Sequence, residues 1–579
     1  MTDEYLLFNR SQCEFLRFQA KQKFDKIRTS WIDCGRWALP HRVKWMLSIT
    51  DGERNNQLIT DATHILALRS YVAGFLEGNT SATRPWFRIG TNDPDLNKSE
   101  GPKQWLQLFT NRCLHYLNQS NFYHAAGPFY ADYGTFNTGA HYIDELKGTF
   151  FFHNLTPGSY FVLNNGFGEA VVMVREFALT VKALVETYGH KDENGDYVWD
   201  NFTWATRQMY ENGNYTQMVM VVHIIKENEK FDPNKPEALL NRKWLSVTYE
   251  VGGNFGGQYY QAGEFGSGMP DPGDLNKYLK ISSSRRKPFI VGKSESSNNY
   301  EYGEKGPTLD ALGLIKSANK KALGKDQALE HMLRPPLQGP ANLKKSYLTS
   351  APNAYIPLDP SSSKPGGGLR SIFEVNPAIQ FLVQDVSDIR QQIDKIYFVD
   401  YLLYLSQNPR TRTATETNAI VQEQQLVIGP NLQSLNWTYN VPVLDFVMDW
   451  VLHEDPYLPP APQDLGGKFL RPEFISVFAQ AQKAADLPAV ERYLAFIEQV
   501  GQLNPKIWDK ANLDKIADIY EDRLFLPAGI NNPQDKVDLA RKQNEAMAAR
   551  QQMLHETIPA LSGAAKDLGL QQPQGGGGQ

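Results

Sequence analysis

The sequence has few cysteines, no excess of positive charge and no long run of apolar residues. Its 579 residues include three cysteines, Cys13, Cys34 and Cys113, and no CxxC pair. Buried, reduced thiols are therefore expected rather than a disulfide framework or a thiolate metal site. With 59 Lys and Arg against 64 Asp and Glu, the net charge is −5, which gives no chain-wide attraction for nucleic acid.

A membrane span and a secretory signal are also missing from the pattern. No stretch approaches the roughly 20 apolar residues that a spanning helix needs, and the mean hydropathy is −0.46. The first twelve residues, MTDEYLLFNRSQ, carry acidic side chains where a secretory signal needs basic ones. A soluble, unsecreted protein is expected.

Sequence motifs of catalysis and metal binding do not occur. GxxxxGK[ST], HExxH and GxSxG are all absent, so the chain lacks the phosphate loop of an ATP-driven motor and two common hydrolase motifs. The glycine-rich GGNFGG at 252–257 lies between β-like runs, which favours a hairpin turn over a dinucleotide site. His115 and His124 fall on different predicted helices, which favours polar helix-face or interface positions over metal ligands. The sequence predicts no catalytic residue, no metal site and no cofactor.

What is present is a composition able to form a core, with 41% hydrophobic and 12% aromatic residues. At this length we expect several domains or one elongated subunit with several parts. The patterns predict an α+β fold that is mainly α-helical. Apolar residues at helical spacing predict helices over 12–38, 57–77, 102–120, 121–137, 179–189, 306–333, 379–406, 413–428, 431–453 and 472 to about 555.

Strand-like runs begin near residue 148, where TPGS and NNGFG are hairpin signals. From about 190 to 303, short β-like runs alternate with turn residues, which predicts a separate β-rich insertion between two helices. Residues 334–370 are dense in Pro, Gly and Ser and predict a linker or a functional loop. The final LQQPQGGGGQ is a low-complexity tail.

Two groups of basic residues are candidates for binding. SRRKP at 284–288 supplies Arg285, Arg286 and Lys287. The predicted helix over 306–333 carries Lys316, Lys320, Lys321 and Lys325, in two pairs one turn apart. A solvated helix face and a phosphate-binding stripe both fit this pattern. For binding to DNA, each neutralised phosphate contributes roughly 0.9 to the slope with which log affinity falls as log salt concentration rises.

The polar stretch RTRTATETNAIVQEQQ at 410–425 predicts a helix with defined ends. Thr413 and Glu416 form a capping box at its start, and Gly429–Pro430 follows its end. Its polar faces, including Gln422 and Gln425, fit a solvated surface helix. They equally fit hydrogen bonding across a wet interface between subunits.

Five stretches, in this order, resemble the portal, or head-to-tail connector, proteins of short-tailed double-stranded DNA bacteriophages. They are LITDATHILALRSYVAGFLEGNTSATRPWFRIG (58–90), SNFYHAAGPFYADYGTFNTGAHYI (120–143), TPGSYFVLNNGFGEAVVMVREFALTVKALVETYG (156–189), YEYGEKGPTLDALGLIKSANKKALGKDQALE (300–330) and RTRTATETNAIVQEQQLVIGPNLQSL (410–435). The resemblance extends from about residue 10 to 550.

The resemblance implies a ring of twelve identical subunits around a channel at one capsid vertex, through which DNA is packaged and ejected. It implies partners as well: the major capsid and scaffolding proteins, the terminase, tail adaptor or nozzle proteins, and DNA bound without sequence preference. It also implies that the protein is not an enzyme, is made in the host cytoplasm and resides in the virion.

The resemblance also implies a division of the chain into parts. These are N-terminal helices and wing (1–178), first stem helix (179–189), clip (190–303), second stem helix (304–333), channel loop and wing return (334–378), wing or channel helices (379–460), crown helices (461–555) and flexible tail (556–579). The implied DNA-channel residues are Lys316, Lys320, Lys321, Lys325, Lys344 and Lys345. The implied clip-docking residues are Arg285, Arg286 and Lys287, and the implied inter-subunit residues are Thr413, Glu416, Gln422 and Gln425.

Two other functions compete with this interpretation. Another virion ring protein, such as a tail tube or adaptor subunit, would differ in ring symmetry and channel width. A DNA-processing enzyme, for example a nuclease, would show metal-dependent cleavage of duplex DNA.

Overall fold

A computed structural model of the chain shows a mixed helical and sheet protein, which confirms the α+β prediction. It describes residues 9–47, 56, 59–93, 96, 100–236, 238, 241–251, 277–296, 300–333, 337–340, 355–358, 370–371, 379–406, 428–475, 487–501, 513–517 and 537–550. Two compact units are formed by discontinuous segments. The first comprises Met1–Arg88, Phe109–Pro459 and Pro472–Gln482, and the second comprises Ile89–Leu108, Pro460–Arg471 and Lys483–Gln579.

The helices follow the predicted order closely. They are α1 (Arg10–Ala38), α2 (Lys44–Leu47), α3 (Thr63–Gly78), α4 (Glu100–Gln119), α5 (Phe122–Phe136), α6 (Val181–Tyr188), α7 (Trp204–Glu211), α8 (Pro307–Leu333), α9 (Ile379–Ile396), α10 (Val399–Ser406), α11 (Val441–Glu454) and α12 (Leu487–Gly501). The described residues also include helical runs at 428–435, 513–517 and 537–550, a π-helix at Asn436–Asn440 and a 3-10 turn at Gln463–Leu465.

Strands occupy the middle of the first unit and several shorter segments. They are β1 (Phe87–Thr91), β2 (Thr138–Leu146), β3 (Thr149–Asn154), β4 (Tyr160–Asn164), β5 (Ala170–Thr180), β6 (Met218–Glu227), β7 (Trp244–Glu250), β8 (Lys280–Ser284), β9 (Phe289–Lys293), β10 (Leu337–Pro340), β11 (Tyr355–Leu358), β12 (Arg370–Ser371) and β13 (Leu470–Phe474).

The main sheet has five antiparallel strands in the order β4-β5-β6-β7-β8. It corrects the expectation of a separate β-rich insertion over 190–303. Strand β5 lies before that region, and it pairs with β6 inside it along nine residues, from Val172↔Lys226 to Thr180↔Met218. Both strands are rich in Val, Ile and Met, and pairing in one sheet lets them bury their apolar side chains together.

A second sheet has the order β3-β2-β9, in which β9 returns to pair with β2. TPGS therefore connects β3 of this sheet to β4 of the main sheet, and its interpretation as a hairpin turn was wrong. NNGFG does form the predicted hairpin, between β4 and β5, with Gly168 at a φ of +82°. Only glycine adopts this left-handed backbone without strain.

The core of the first unit lies between α1 and the main sheet. Phe24 of α1 packs edge-on against Phe161 of β4, with ring centres 5.3 Å apart. Trp31, two turns further along, meets Tyr302 in the same way at 5.4 Å. All four rings are buried, which accounts for the apolar spacing that predicted α1.

The predicted helix over 379–406 is two helices. The chain breaks at Phe398, which has a φ of +57° and separates α9 from α10. The break redirects α10 onto α3, where a Cβ at Gly74 would come within 2.6 Å of the Leu402 side chain. The close approach of these two helices requires both the break and the glycine.

The predicted helix over 431–453 is continuous from 428 to 454 but contains a wider turn. Residues Asn436–Asn440 form a π-helix between a run at 428–435 and α11, and Pro442 follows it. Such π-bulges re-aim the side chains that they carry and occur often at functional sites. In the region from 472 to about 555, α12 and the runs at 513–517 and 537–550 are helical.

Candidate functional site

The long helix α8 carries the candidate lysines, and a tight junction fixes its start. Asn137, which follows α5, has a left-handed backbone with a φ of 60°. A Cβ at Gly303 would overlap its carbonyl oxygen, and one at Gly306 would overlap its side-chain oxygen. Pro307 then begins the helix, where no backbone N–H is needed. The approach to α8 therefore requires glycine at both positions.

Helix α9 returns alongside α8, and two contacts fix its direction. Near the start of α8, Thr308 Oγ1 lies 2.7 Å from the hydroxyl of Tyr397, which follows α9. Further along α8, Lys321 pairs with Asp385 in the first half of α9. Because the contacts advance along α8 while they go back along α9, the two helices are antiparallel.

The four candidate lysines on α8 differ in their surroundings. Three have a carboxylate of the same chain within 4 Å: the pairs are Lys316–Asp33, Lys321–Asp385 and Lys325–Asp326. Lys320 is exposed and forms no ion pair with any residue that the structure describes. Exposed pairs of this kind contribute little stability because water and salt screen them. Lys320 is the lysine of this set with its charge most available to an external anion.

A buried polar network that the sequence did not indicate joins α8 and α9 to the segment before α3. Asn319 Oδ1 accepts hydrogen bonds from the backbone N–H groups of Thr60 (2.7 Å) and Asp61 (2.8 Å). Asp61 Oδ2 in turn accepts one from Arg390 Nε of α9 at 2.9 Å. Although burial opposes it, the hydrogen bonds from Thr63 and Arg390 lower the pKa of Asp61. A single Asn in a helix carries no sequence signal for this role.

The basic turn at 285–287 joins β8 to β9, and its middle residue is internal. The Arg286 side chain is 4% exposed and meets three carboxylates. Its Nε lies 2.7 Å from Asp449 of α11, its Nη1 3.1 Å from Glu145 of β2 and its Nη2 3.4 Å from Glu454. An arginine so enclosed ties the turn to α11 and β2, and its charge is compensated by carboxylates of the same chain.

The two neighbours of Arg286 are placed differently. Arg285 is exposed, and its Nη2 donates to Nε2 of His453 at 2.6 Å. The Lys287 ammonium lies over two aromatic rings, 4.8 Å from the centre of Phe289 and 5.6 Å from that of Trp244. These two side chains remain docking candidates.

The described residues contain no group of three or more His, Cys, Asp or Glu side chains suited to a metal ion. In the same part of the chain, no helix has the length and apolar character of a membrane span. The three cysteines are buried and unpaired, as expected. Burial raises the pKa of Cys13 to about 11 and that of Cys34 to about 12.

A family model of the bacteriophage head to tail connecting protein matches residues 10–530 of the chain. The chain belongs to this family. Among its connector-family relatives, the probable portal protein of Bordetella phage BPP-1 is 29% identical over 542 residues, 93% of this chain and 91% of the relative. The portal protein of Salmonella phage epsilon15 is 29% identical over 549 residues, 94% and 93% respectively. The resemblance seen in the sequence is confirmed.

In this connector-family chain, α8 and α9 are the two helices before and after a small three-stranded sheet. Between them, β10 pairs with β11 in parallel and with β12 antiparallel. By contrast, α6 has eight residues and packs against α7, β5 and β6. The resemblance implied 179–189 and 304–333 as the two stem helices, and that assignment stays a prediction.

Several predicted residues of the connector lie outside the described residues. They are Lys344, Lys345, Thr413, Glu416, Gln422 and Gln425. The helix predicted over 413–428 is likewise outside, apart from residue 428.

Proposed function

We propose that the chain is the subunit of a portal ring, with twelve copies around a channel for double-stranded DNA at one vertex of the phage capsid. The ring conducts the genome during packaging and ejection and nucleates head assembly. Its partners are the major capsid and scaffolding proteins, the terminase during packaging, and the tail adaptor or nozzle proteins afterwards. The observation that carries this proposal is the family match over residues 10–530.

The antiparallel pair α8 and α9 is our candidate for the stem, with 334–378 as the clip between them. This revises the assignment of 179–189 and 190–303 to those parts. A stem requires two long helices that leave and return together, and the contacts Thr308–Tyr397 and Lys321–Asp385 support that geometry. The wing then includes the main sheet and the β3-β2-β9 sheet, together with α1 and α5. The crown remains assigned to 461–555.

DNA passing through the channel would meet α8, and Lys320 is our first candidate contact. Its charge has no partner among the described residues, whereas Lys316 and Lys321 each lie beside a carboxylate. A few free cations per subunit suit DNA that must slide, because each phosphate contact adds affinity that opposes movement. Lys344 and Lys345 stay predicted channel residues, and the 413–428 helix stays a predicted contact between subunits.

We further propose that the protein has a structural role and no catalytic activity of its own. The two relatives are named portal proteins, and the sequence lacks a nucleotide-binding phosphate loop. The protein is then made in the host cytoplasm and resides in the virion.

Purified full-length protein tests the ring directly by negative-stain microscopy and sedimentation. A subunit of 65.5 kDa predicts particles of roughly 0.8 MDa with a central hole and twelvefold symmetry. A protein that stays monomeric at micromolar concentration across a range of salt would contradict the proposal. Another ring symmetry, or a channel too narrow for duplex DNA, would favour a tail tube or adaptor. Metal-dependent cleavage of duplex DNA would instead indicate a processing enzyme.

The role of Lys320 is testable by packaging with variant portals. Lys320→Ala should reduce the amount of DNA packaged while rings form normally. The matched control is Lys182→Ala, which removes an exposed helical lysine on α6 that pairs with Glu186. Equal packaging by both variants would assign Lys320 to a solvated helix face.

A further inference from the structure

A cleft of about 1030 Å³ opens in the first unit at one end of the main sheet. Its walls come from five stretches of the chain: 165–171, 227–235, 241–244, the basic turn at 285–287 with β9 and the residues after it, and 434–449, which includes the π-helix and the start of α11. The register of β7 with β8 pairs Trp244 with Ser284, so Arg242 and the basic turn meet at this end. The volume is in the range of cavities that hold a ligand or several side chains of a partner.

The 165–169 turn presents an apolar ring to solvent at the edge of this cleft. Phe167 is 88% exposed, yet the turn that carries it is firmly held. Asn165 Oδ1 accepts hydrogen bonds at 3.0 Å from the N–H groups of both Phe167 and Glu169, and Asn165 N–H donates to the Glu169 carbonyl at 2.8 Å. Folding gains nothing from a fixed, exposed phenylalanine. A rigid aromatic anchor is what a binding surface uses, since little conformational entropy is lost on contact.

The π-helix presents a second aromatic ring to the same cleft. Trp437 is 68% exposed, and its neighbour Thr438 is pinned to β9. Thr438 Oγ1 accepts from the Lys293 N–H at 3.1 Å, and Ser434 Oγ donates to the Lys293 carbonyl at 2.9 Å. The wider turn is therefore fixed against a strand, and it directs Trp437 outward into the cleft.

Three cations in the cleft, Lys287, Arg242 and Lys293, lack a carboxylate partner within ion-pair distance among the described residues. Lys293 donates to the Tyr300 carbonyl at 2.6 Å, which leaves Lys287 and Arg242 as the better candidates. Lys287 lies against Trp244 and Phe289 and feels Glu169 and Glu227 only at longer range. Burial lowers the pKa of Lys287 to about 8, which shows how poorly its charge is solvated. Arg242 donates from Nη1 to the Ser283 carbonyl at 3.2 Å, and among the described residues its enclosed Nε has no hydrogen-bond partner, so the charge of this guanidinium is poorly compensated. Both groups would gain from an incoming anion.

The lining favours a peptide carboxylate over the DNA backbone as that anion. Seven Lys and Arg side chains and five carboxylates line the cleft, so positive charge is in slight excess and the two signs are interspersed. The carboxylates are Glu169, Glu227, Glu295, Asp445 and Asp449. A phosphate backbone, with a charge at every step, would be repelled by these groups. A short peptide can place one or two carboxylates against Lys287 and Arg242 and its apolar side chains against the exposed rings.

We propose that this cleft docks an acidic segment of a partner protein, in which Asp or Glu lies beside an aromatic or aliphatic residue. The carboxylate binds Lys287 and Arg242, and the apolar side chain packs between Phe167 and Trp437. Every residue involved belongs to one unit of one subunit, so the inference stands whether or not the protein forms the proposed ring.

A random-peptide display library, selected against purified full-length protein, supplies the probe. Enriched peptides should carry Asp or Glu next to Trp, Phe or Leu. The best peptide, measured by fluorescence anisotropy, should bind Trp437→Ala and Lys287→Met at least about tenfold more weakly. Lys287→Met keeps the apolar stem over the rings and removes only the charge.

Two control variants match these changes elsewhere on the surface. Trp204→Ala removes another exposed tryptophan, on α7, and Lys182→Ala removes an exposed lysine on α6. Both should bind the peptide as the wild type does, and circular dichroism checks that all four variants fold. Equal binding by all variants, or enrichment without acidic residues, would overturn the proposal.

Two other occupants have their own outcomes in this test. Displacement of the peptide by a short DNA duplex at the same salt would assign the cleft to nucleic acid. A photo-reactive benzoylphenylalanine in place of Phe167 that crosslinks copies of the purified protein would assign it to the neighbouring subunit. Either result would overturn the proposal, and ring formation is scored separately by microscopy.

Discussion

The buried ion pair between Arg42 and Asp132 allows a direct test of what holds α5 in place. Asp132 of α5 is 1% exposed and accepts from Arg42 Nε at 2.9 Å and from Arg42 Nη2. The same Nη2 also donates to the Leu155 carbonyl at 3.1 Å. One side chain therefore connects the segment after α1, the core helix α5 and the end of β3.

Replacing Arg42 by Met should destabilise the first unit strongly. Methionine keeps much of the side-chain volume but leaves the Asp132 carboxyl buried without a counter-charge. Removing one partner of a buried pair typically costs about 3–5 kcal/mol. Asp132 has almost no exposure, so solvent screening does not reduce this figure much. Guanidinium unfolding followed by tryptophan fluorescence, at one fixed protein concentration, measures the change.

The cost should also depend on pH in a defined direction. Burial raises the pKa of Asp132 from 3.8 to about 6, and Arg42 opposes that rise. A carboxyl with a raised folded pKa contributes stability below its unfolded pKa and loses it as pH rises through the folded value. Removing Arg42 raises the folded pKa further, so the variant falls furthest below the wild type at pH 8 and less at pH 5.

The double variant Arg42→Met, Asp132→Leu separates charge from packing. It should recover most of the lost stability because no buried charge remains. A loss below about 1 kcal/mol for Arg42→Met at pH 8, or an equal loss at pH 5 and pH 8, would refute the reasoning.

Three further predictions concern other parts of the first unit. Gly306→Ala should lower the melting temperature because its Cβ would collide with Asn137, whereas Gly313→Ala in the open interior of α8 should be neutral or stabilise by about 0.5–1 kcal/mol. Equal effects of the two substitutions would contradict the close contact between Gly306 and Asn137. Arg286→Ala should lower the melting temperature, by roughly 2–4 °C for each kcal/mol of stability lost. Arg285→Ala should change the melting temperature little. A larger drop for Arg285→Ala than for Arg286→Ala would mean that Arg286 is a surface residue. The native chain should leave its three thiols unreacted with Ellman's reagent and react fully in guanidinium, because all three are buried with raised pKa values; fast reaction of the native form would contradict that burial.

Local signals were sufficient to predict most of the long helices, although not the short α2 and α7 or the break between α9 and α10. Phe24 and Trp31 repeat at helical spacing in α1, and both are buried. Thr180 caps α6, with its Oγ1 accepting from the Ala183 N–H at 3.3 Å. Pro307 opens α8 at the position where proline is tolerated. Each of these signals acts within a few residues, so the sequence alone reveals it.

Strand partners and the state of charged side chains were not predictable in this way. The predicted start of a β-rich insertion at about residue 190 divides the main sheet. Strands β5 and β6 pair across a long connection, and the local spacing of residues does not indicate that pairing. SRRKP supplied three candidate docking cations, yet Arg286 faces carboxylates from β2 and α11 that are distant in the chain. Charge and turn propensity are local properties, whereas burial depends on the register of the whole sheet.

The residues of the proposed docking cleft could not be predicted as a group from the sequence either. Phe167 was visible only as part of a hairpin signal, Arg242 as part of a turn-rich region, Lys287 as one charge of three and Trp437 as a helix residue. Their combination depends on the pairing of Trp244 with Ser284 and on the hydrogen bonds that fix the π-helix to β9. Neither constraint is local in the chain, so the four residues come together only in the folded protein. The fold supplies rigid backbone under two exposed rings and leaves two cations short of partners, and that unsatisfied state is the physical reason to expect a ligand there.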